Sequence, residues 1–316
     1  MSTGENSDHI SQEPNSIFLL AKIFFDSLNI FLSTKKISLF VFIFLSLPLS
    51  FFFILFSFLT FPLENRIQHL EELSLFSPIH VESGHVLEEA NKEAKSLLHL
   101  KLLFFFPIFL LSFFIAVAAI NVTFFVCSNG KPTVQTVFTA LKTAWIRVLV
   151  TTVCVYATML ACTIVPGMLM VFFETCPIVR VVLAAIGSGL ELHMMAVTSL
   201  ALVISVNEGM YGFDAIRVGS VLMVGKRVCG WVLSGLFVLF SGFIRGTMEM
   251  SMAMDGSDFE RLQSTVVIKL LWDNVVLIFL YALVVQWSFV VTTVFYLDLK
   301  KKDSIKSDRD NDISLV

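Results

Sequence analysis

Long apolar stretches separated by short polar segments dominate the pattern of this chain. Six of them carry few charged residues, and they run over residues 37–61, 102–126, 148–174, 180–205, 228–248 and 270–297. A helix of about twenty apolar residues crosses a hydrocarbon core roughly 30 Å thick. The pattern therefore predicts an all-α, polytopic membrane helix bundle with six spans. Pro48 and Pro166 lie inside the first and third spans and predict kinks there.

A shorter segment of mixed character precedes the first span. Residues 17–32 are apolar except for a narrow polar stripe that recurs every three or four positions and extends one residue further: Lys22, Asp26, Asn29 and Ser33. Residues three or four apart share one side of a helix. This segment is therefore predicted to be an amphipathic helix that lies in the membrane surface.

Similar segments precede the third and fifth spans. Residues 132–147 place several apolar side chains on one helical side, namely Val134, Val137, Phe138, Leu141 and Trp145. Before the fifth span, Gly212, Ala215 and Gly219 share a side at which another backbone can approach closely. The sequence thus predicts interfacial helices before spans 1, 3 and 5.

Basic and aromatic residues mark the points at which these segments meet their spans. The stems of Lys and Arg lie along apolar surface while their charges stay among the headgroups, and Trp rings favour the same zone. The predicted interfacial anchors are Lys35, Lys36, Trp145, Arg147, Lys226 and Arg227.

Composition also indicates an integral membrane protein. Hydrophobic residues make up 56% of the chain and charged residues 15%, and the mean hydropathy is +0.84. A soluble core of 316 residues cannot bury this much apolar surface. The formal net charge of −3 shows no basic excess, so nucleic acid is not an expected partner.

The distribution of Lys and Arg predicts the orientation. With six spans, fourteen of the 22 basic residues lie on the side of the two termini. Cytoplasmic loops of membrane proteins carry an excess of Lys and Arg, so both termini are predicted to be cytoplasmic. Residues 1–16 and 303–316 are polar and are predicted to be disordered cytoplasmic tails of a membrane domain that covers residues 17–302.

The sizeable loop on the opposite side, residues 62–101, is predicted to form two helices. Apolar residues recur at helical spacing in both halves, and the break is expected near Ser77 and Pro78, so that the helices extend the first two spans. The loop holds four histidines, His69, His80, His85 and His99. They match no recognised metal-ligand spacing, so an acidic, solvated hairpin is favoured over a metal site.

One ionisable residue lies near the middle of a predicted span. Glu191 is in the fourth span, and His193, two residues further on, lies on a different side of that helix. Buried charges in a membrane are costly and often functional. Glu191 is the candidate intramembrane polar site, and two interpretations stay open: a hydrogen-bonded structural residue, which is favoured, or a proton or ion relay.

Cysteine use is typical of a protein without disulfides. Among the five cysteines, Cys127 and Cys229 are next to the membrane on the predicted cytoplasmic side. They are candidate palmitoylation sites, although a buried thiol is the commoner role of such residues.

Motifs of catalysis are not found in the sequence. The chain has no Gly-rich phosphate loop, no nucleophile elbow and no His/Glu spacing of a metalloprotease. We therefore expect neither an enzyme nor a bound cofactor.

The helix-plus-span order resembles a known family. The likeness rests on short matches at residues 207–208, 211–216, 225–227, 130–132 and 145–147. They are similar to an uncharacterised plant family of six-pass transmembrane proteins, itself distantly similar to the membrane domain of bacterial glycerophosphodiester phosphodiesterases. The catalytic domain of those bacterial proteins has no counterpart here. The resemblance implies a plant source, a membrane fold and no catalytic residue.

Two functional interpretations follow. The first is a non-enzymatic, multi-pass membrane component that contacts the lipid bilayer, and with it a membrane-protein partner or a second copy of itself. Its location would be the endoplasmic reticulum, another endomembrane or the plasma membrane. The alternative is a small-solute transporter or channel with a path past Glu191.

Overall fold

The computed structural model describes residues 16–76, 80–128, 130, 134–173, 177–254 and 272–314. These residues form an all-α protein, and no strand occurs among them. The helices are α1 (Ser16–Ser33), α2 (Lys35–Val41), a π-helical turn (Phe42–Ser46), α3 (Leu47–Phe76), α4 (His80–Cys127), α5 (Val134–Phe172), α6 (Pro177–Asn207), α7 (Phe213–Leu222), α8 (Arg227–Met254) and α9 (Val275–Ser314).

Six helical segments are long and apolar enough to cross a membrane. They are Lys35–Leu70, Glu88–Cys127, Val137–Met170, Ile178–Asn207, Arg227–Ser251 and Val275–Asp303. The prediction of six spans is confirmed. The helices are longer than most of the predicted spans, because polar residues continue the same helices beyond the apolar part. Residue 174 of the third predicted span and residues 270–271 of the sixth lie outside the described residues.

Two of the three helices that precede spans are separate elements. α1 ends at Ser33 before the first span, and α7 ends at Leu222 before α8. The segment before the third span is instead the first part of α5, which is helical from Val134 to Phe172 without a break. No Gly or Pro lies between residues 134 and 165, so nothing in the sequence ends the helix there.

The C-terminal segment is more helical in the structure than the sequence predicts. α9 continues beyond residue 303 to Ser314, so most of the segment 303–316 is helical rather than disordered. Lys302 lies 3.2 Å from the Asp298 carboxylate one turn earlier, which is a charge pairing that supports a helix. The N-terminal tail, except for Ser16, lies outside the described residues.

The first span changes its helical geometry near Pro48. The turn Phe42–Ser46 is π-helical, and α3 starts directly after it. Proline has no amide hydrogen and clashes with the carbonyl four residues earlier, so a wider turn there relieves the conflict. The Ser50 hydroxyl donates a hydrogen bond of 2.8 Å to the Ser46 carbonyl just beyond this turn.

A helical hairpin joins the first two spans. α3 reaches Phe76 and α4 begins at His80, as predicted, while the break near residues 77–78 lies outside the described residues. Ion pairs join the two helices: the Arg66 guanidinium is 3.4 Å from the carboxylates of Glu89 and Glu93. The Arg66 and Glu89 side chains are largely exposed and Glu93 is half-buried, so the pairs add little stability.

The largest core cluster lies where α1, α6, α7 and α9 meet. Its central side chains are almost wholly buried and include Ile23, Leu200, Ile204, Met223 and Tyr296. α2 is tied to α9 near this cluster, since the Gln286 amide nitrogen donates to the carbonyl and hydroxyl oxygens of Ser38, both at 3.1 Å. We call this part of the bundle the packed end; by the charge distribution it is the predicted cytoplasmic end.

Candidate functional site at the packed end

α7 folds back against α6, and glycine makes this possible. Gly209 and Gly212 have φ values of 76° and 64°, a region that other residues rarely adopt, so the chain reverses direction directly after α6. Ala215 and Gly219 are buried on the inner side of α7. A Cβ atom on Gly219 would lie 3.1 Å from the carbonyl oxygen of Val197 in α6. The small residues predicted to allow close approach therefore form this contact.

A polar contact fixes the turn between α6 and α7 to α5. The hydroxyl oxygens of Thr151 and Ser205 are 2.9 Å apart, and the Gly212 amide donates to the Thr151 hydroxyl at 2.9 Å. The Arg147 guanidinium lies over Gly209, 2.5 Å from where a Cβ atom would stand. Gly209 therefore satisfies two demands at once, a positive φ and space for Arg147.

A second polar contact joins the end of α6 to α9. The Tyr296 hydroxyl donates a hydrogen bond to the Glu208 carboxylate, and the Lys300 ammonium lies 2.6 Å from the same oxygen. Burial alone would raise the pKa of Glu208, but the hydrogen bonds from Lys300 and Tyr296 and the charge of Lys300 outweigh it and lower this pKa. Glu208 is therefore ionised at neutral pH and holds α6 and α9 together.

A cavity of about 1150 Å³ opens beside this cluster, between α7, its two flanking turns and residues 299–303 of α9. Charges of both signs line it: Glu208, Asp214, Arg217, Lys226, Lys300, Lys302 and Asp303. Part of this charge is already paired, since Lys300 contacts Glu208 and Lys302 contacts Asp298 outside the lining. The wall is therefore polar without a strong excess of either charge.

α1 has three distinct sides. Leu19, Ile23 and Ser27 are buried against the bundle. The predicted polar stripe is exposed on the next side. The third side is apolar yet exposed, and its large members are Phe18, Phe25 and Leu32. A helix with one packed, one polar and one exposed apolar side fits the boundary between headgroups and hydrocarbon.

The first turns of α5 repeat this arrangement. Ala144 and Val148 are buried against α4. Phe138 and Trp145 are 61% and 50% exposed on an adjacent side, and Lys142 and Thr143 are exposed beyond them. The aromatic residues predicted as membrane contacts are thus available to lipid.

The remaining predicted anchors lie at the surface in different degrees. Lys35 and Lys36 are exposed in the first turn of α2, and Arg227 is exposed at the first residue of α8. Lys226 is half-buried. Arg147 is also half-buried, because it covers the turn at Gly209 rather than extending freely.

Glu191 lies apart from the packed end. It is half-buried on α6 and forms no hydrogen bond or ion pair with another described residue. Two residues nearer the packed end, the Trp231 indole nitrogen of α8 donates to Nδ1 of His193 at 3.0 Å. Both interpretations of Glu191, a structural residue or a relay, therefore stay predictions.

The two candidate cysteines differ in accessibility. Cys127 is exposed at the last residue of α4, which leaves it a predicted palmitoylation site. Cys229 is 1% exposed within the core cluster of the packed end. This burial matches the alternative role, a buried thiol, because an acyl group cannot reach a thiol inside the core of the bundle.

Sequence reasoning missed the contact among Glu208, Tyr296 and Lys300. Tyr296 and Lys300 follow Glu208 by 88 and 92 residues, so no local pattern joins them to Glu208. The available signal was a single acidic residue directly after an apolar span. Among the described residues, no group of His, Cys, Asp and Glu is placed to hold a metal ion.

Comparison with known proteins gives a family without an assigned activity. The family described as Domain of unknown function (DUF8558) matches residues 10–308 of the chain. No curated protein and no solved structure matches.

Proposed function

This chain belongs to the DUF8558 family, whose function is unknown, and we propose that it is a non-enzymatic membrane component that holds bilayer lipid at its packed end. α1 and the first turns of α5 carry out this role. A membrane-protein partner or a second copy of the chain would join the same surface from within the bilayer.

The observation that carries this proposal is the three-sided arrangement of both helices. Each buries one side in the bundle and leaves large apolar side chains exposed next to a polar side. Phe25 on α1 is 77% exposed, which is unfavourable in water but suits a lipid environment. A surface of this kind indicates contact with lipid more directly than it indicates a reaction.

The finer properties of the chain belong to the same proposal. The packed end faces the cytoplasm with both termini, and the membrane is an endomembrane, such as the endoplasmic reticulum, or the plasma membrane. We also propose that the chain comes from a plant and that it is distantly related to the membrane domain of bacterial glycerophosphodiester phosphodiesterases.

A solute pathway past Glu191 is the second candidate. It is supported by the position of Glu191, which is half-buried and forms no hydrogen bond or ion pair with a described residue. Aromatic packing speaks against a wide path on the packed side of the bundle, since the Trp287 ring contacts Phe24 and Phe237 at centroid distances of 5.4 and 6.1 Å. Replacing Glu191 with Gln would abolish transport if this candidate were correct.

Nitroxide labels at single cysteines test the lipid-contact proposal, after the five native cysteines have been replaced. Labels at Phe25 and Trp145 should collide with oxygen, which concentrates in hydrocarbon. Labels at Lys22 and Thr139 should collide with a water-soluble nickel complex instead. If the labels at positions 25 and 145 are as accessible to nickel as the other two, the proposal is wrong.

A further inference from the structure

A cavity of about 340 Å³ lies between α2, the π-helical turn, α4 and the first turns of α5. Every residue around it is apolar, including Ile37, Phe40, Phe44, Ala118, Val137 and Phe138. This volume lies within the range of small-molecule sites in proteins, roughly 300–1,000 Å³. Phe44 and Phe138 are both largely exposed, so the cavity opens sideways from the protein.

Basic side chains border this cavity. Lys36 precedes Ile37 and lies one helical turn before Phe40, and Lys142 follows Leu141. Lys36 and Lys142 are exposed, and neither forms an ion pair or hydrogen bond with a described residue. Long lysine stems reach along apolar surface and place their charge among headgroups.

Acidic residues are absent from the segments that build the cavity. No Asp or Glu occurs in residues 30–63 or 94–173, which include every residue that lines it. The border of the cavity is therefore positive, in contrast to the larger cavity at α7, where charges of both signs meet. An occupant must combine an apolar body with a negative group.

We propose that this cavity binds one acyl chain of an anionic phospholipid, whose phosphate contacts Lys36 and Lys142. This inference rests on the proposed function and specifies its ligand. The apolar walls select a hydrocarbon chain, because a peptide would leave backbone polar groups without partners there. The lysines select a negative headgroup over a zwitterionic one.

The test is native mass spectrometry of the full chain, released from nanodiscs that contain equal amounts of phosphatidylglycerol and phosphatidylcholine. The chain should retain one phosphatidylglycerol. Replacing Lys36 or Lys142 with Gln should weaken this retention about fivefold, the change expected for one basic residue near an anionic lipid. Ala118→Phe and Val137→Phe fill the cavity from two different helices and should each abolish retention.

Two controls match these changes. Val165→Phe adds the same volume at an exposed site on α5 outside the cavity, and Lys301→Gln removes a basic residue from α9. Both should retain the lipid as the unaltered chain does. Glycerophosphoglycerol, which has the headgroup but no acyl chain, should not compete even in large excess.

Three results would overturn the proposal: equal retention of both lipids, equal retention by all variants, or competition by the free headgroup. None of them decides the proposed function, because the nitroxide labels at Phe25 and Trp145 report contact with lipid independently of this cavity. If the labels report water, the proposed function fails whatever the mass spectra show.

Discussion

Long helices such as α6 run from the packed end to the opposite end of the bundle, but they are packed differently at the two ends. At the packed end, α6 buries Leu200, Ala201 and Ile204 almost completely against α7 and α9. Toward its other end, the same helix exposes Ile178, Val181 and Ile186. Within a bilayer, burial against protein brings no hydrophobic gain over lipid, so close packing and hydrogen bonds must hold the helices together.

The two ends also differ in the contacts that hold their helices together. Small residues and polar contacts are concentrated at the packed end, where α7 lies on α6 and Glu208 joins α9. At the opposite end, Gly189 and Gly246 have no atom within 4 Å of where a Cβ would stand, although α3 and α8 bury Phe58 and Met248 there. The close contacts of α6 are therefore concentrated at the packed end, and exposed positions at the opposite end tolerate change. The predictions below test this contrast, beginning with the largest effect.

Replacing Leu200 with Ala should destabilise the protein strongly. Leu200 is 1% exposed, and removing a buried leucine costs about 2–5 kcal/mol through lost contacts and the cavity that remains. The matched control is Leu190→Ala, ten residues earlier on the same helix and 45% exposed, which should change stability by less than about 0.5 kcal/mol. Thermal unfolding in detergent measures both. Equal effects would remove the contrast between the two ends.

Replacing Gly219 with Leu should detach α7 from α6. The new side chain would meet the Val197 carbonyl at 3.1 Å, and overpacking of this kind costs about 1–3 kcal/mol. Gly189→Leu places the same side chain in open space on α6 and is the control. Thermal unfolding and protease cleavage in the turns beside α7 report the outcome. Unchanged cleavage for Gly219→Leu would contradict this view of α7.

Replacing Glu208 with Gln should cost about 1 kcal/mol, because the amide still accepts from Tyr296 but no longer pairs with Lys300. The lowered pKa of Glu208 also predicts a pH dependence. A carboxylate with a lowered pKa contributes stability above its ordinary value of 4.5, and this stability is lost as the pH falls through the folded-state pKa. Melting curves from pH 7 to pH 3 should show this loss in the unaltered chain and a smaller loss in the variant. Identical pH profiles would exclude Glu208 as its source.

Replacing Arg66 with Gln should have the smallest effect. Its pairs with Glu89 and Glu93 are long and exposed, so the expected loss is below about 1 kcal/mol and should vanish in high salt. The melting temperature at low and at high ionic strength measures it. A loss that persists at 1 M salt would mean that the hairpin of α3 and α4 is held more firmly than its exposure indicates.

The sequence predicted those features that depend on neighbouring residues. Apolar length predicted the spans, and the spacing of Ala215 and Gly219 predicted the close contact of α7 without naming Val197 as its partner. The polar stripe that begins at Lys22 lies on one exposed side of α1, as its spacing required.

Features that depend on distant residues could not be predicted in the same way. The contact between Glu208 and Tyr296 exists only because α6 and α9 end side by side. The side to which Cys229 turns depends on where α6 and α1 pack against α8.

The π-helical turn at Phe42–Ser46 affects how the two halves of the first span are rotated relative to each other. A π-turn contains one residue more than an α-helical turn, and each residue rotates a helix by about 100°. Deleting one residue there would restore a regular helix but would turn Ile37 and Phe40 away from α5 while α3 kept its place. The turn therefore sets the rotational phase between the two halves of the first span, and losing it would remove one wall of the cavity without altering a single residue that lines that wall.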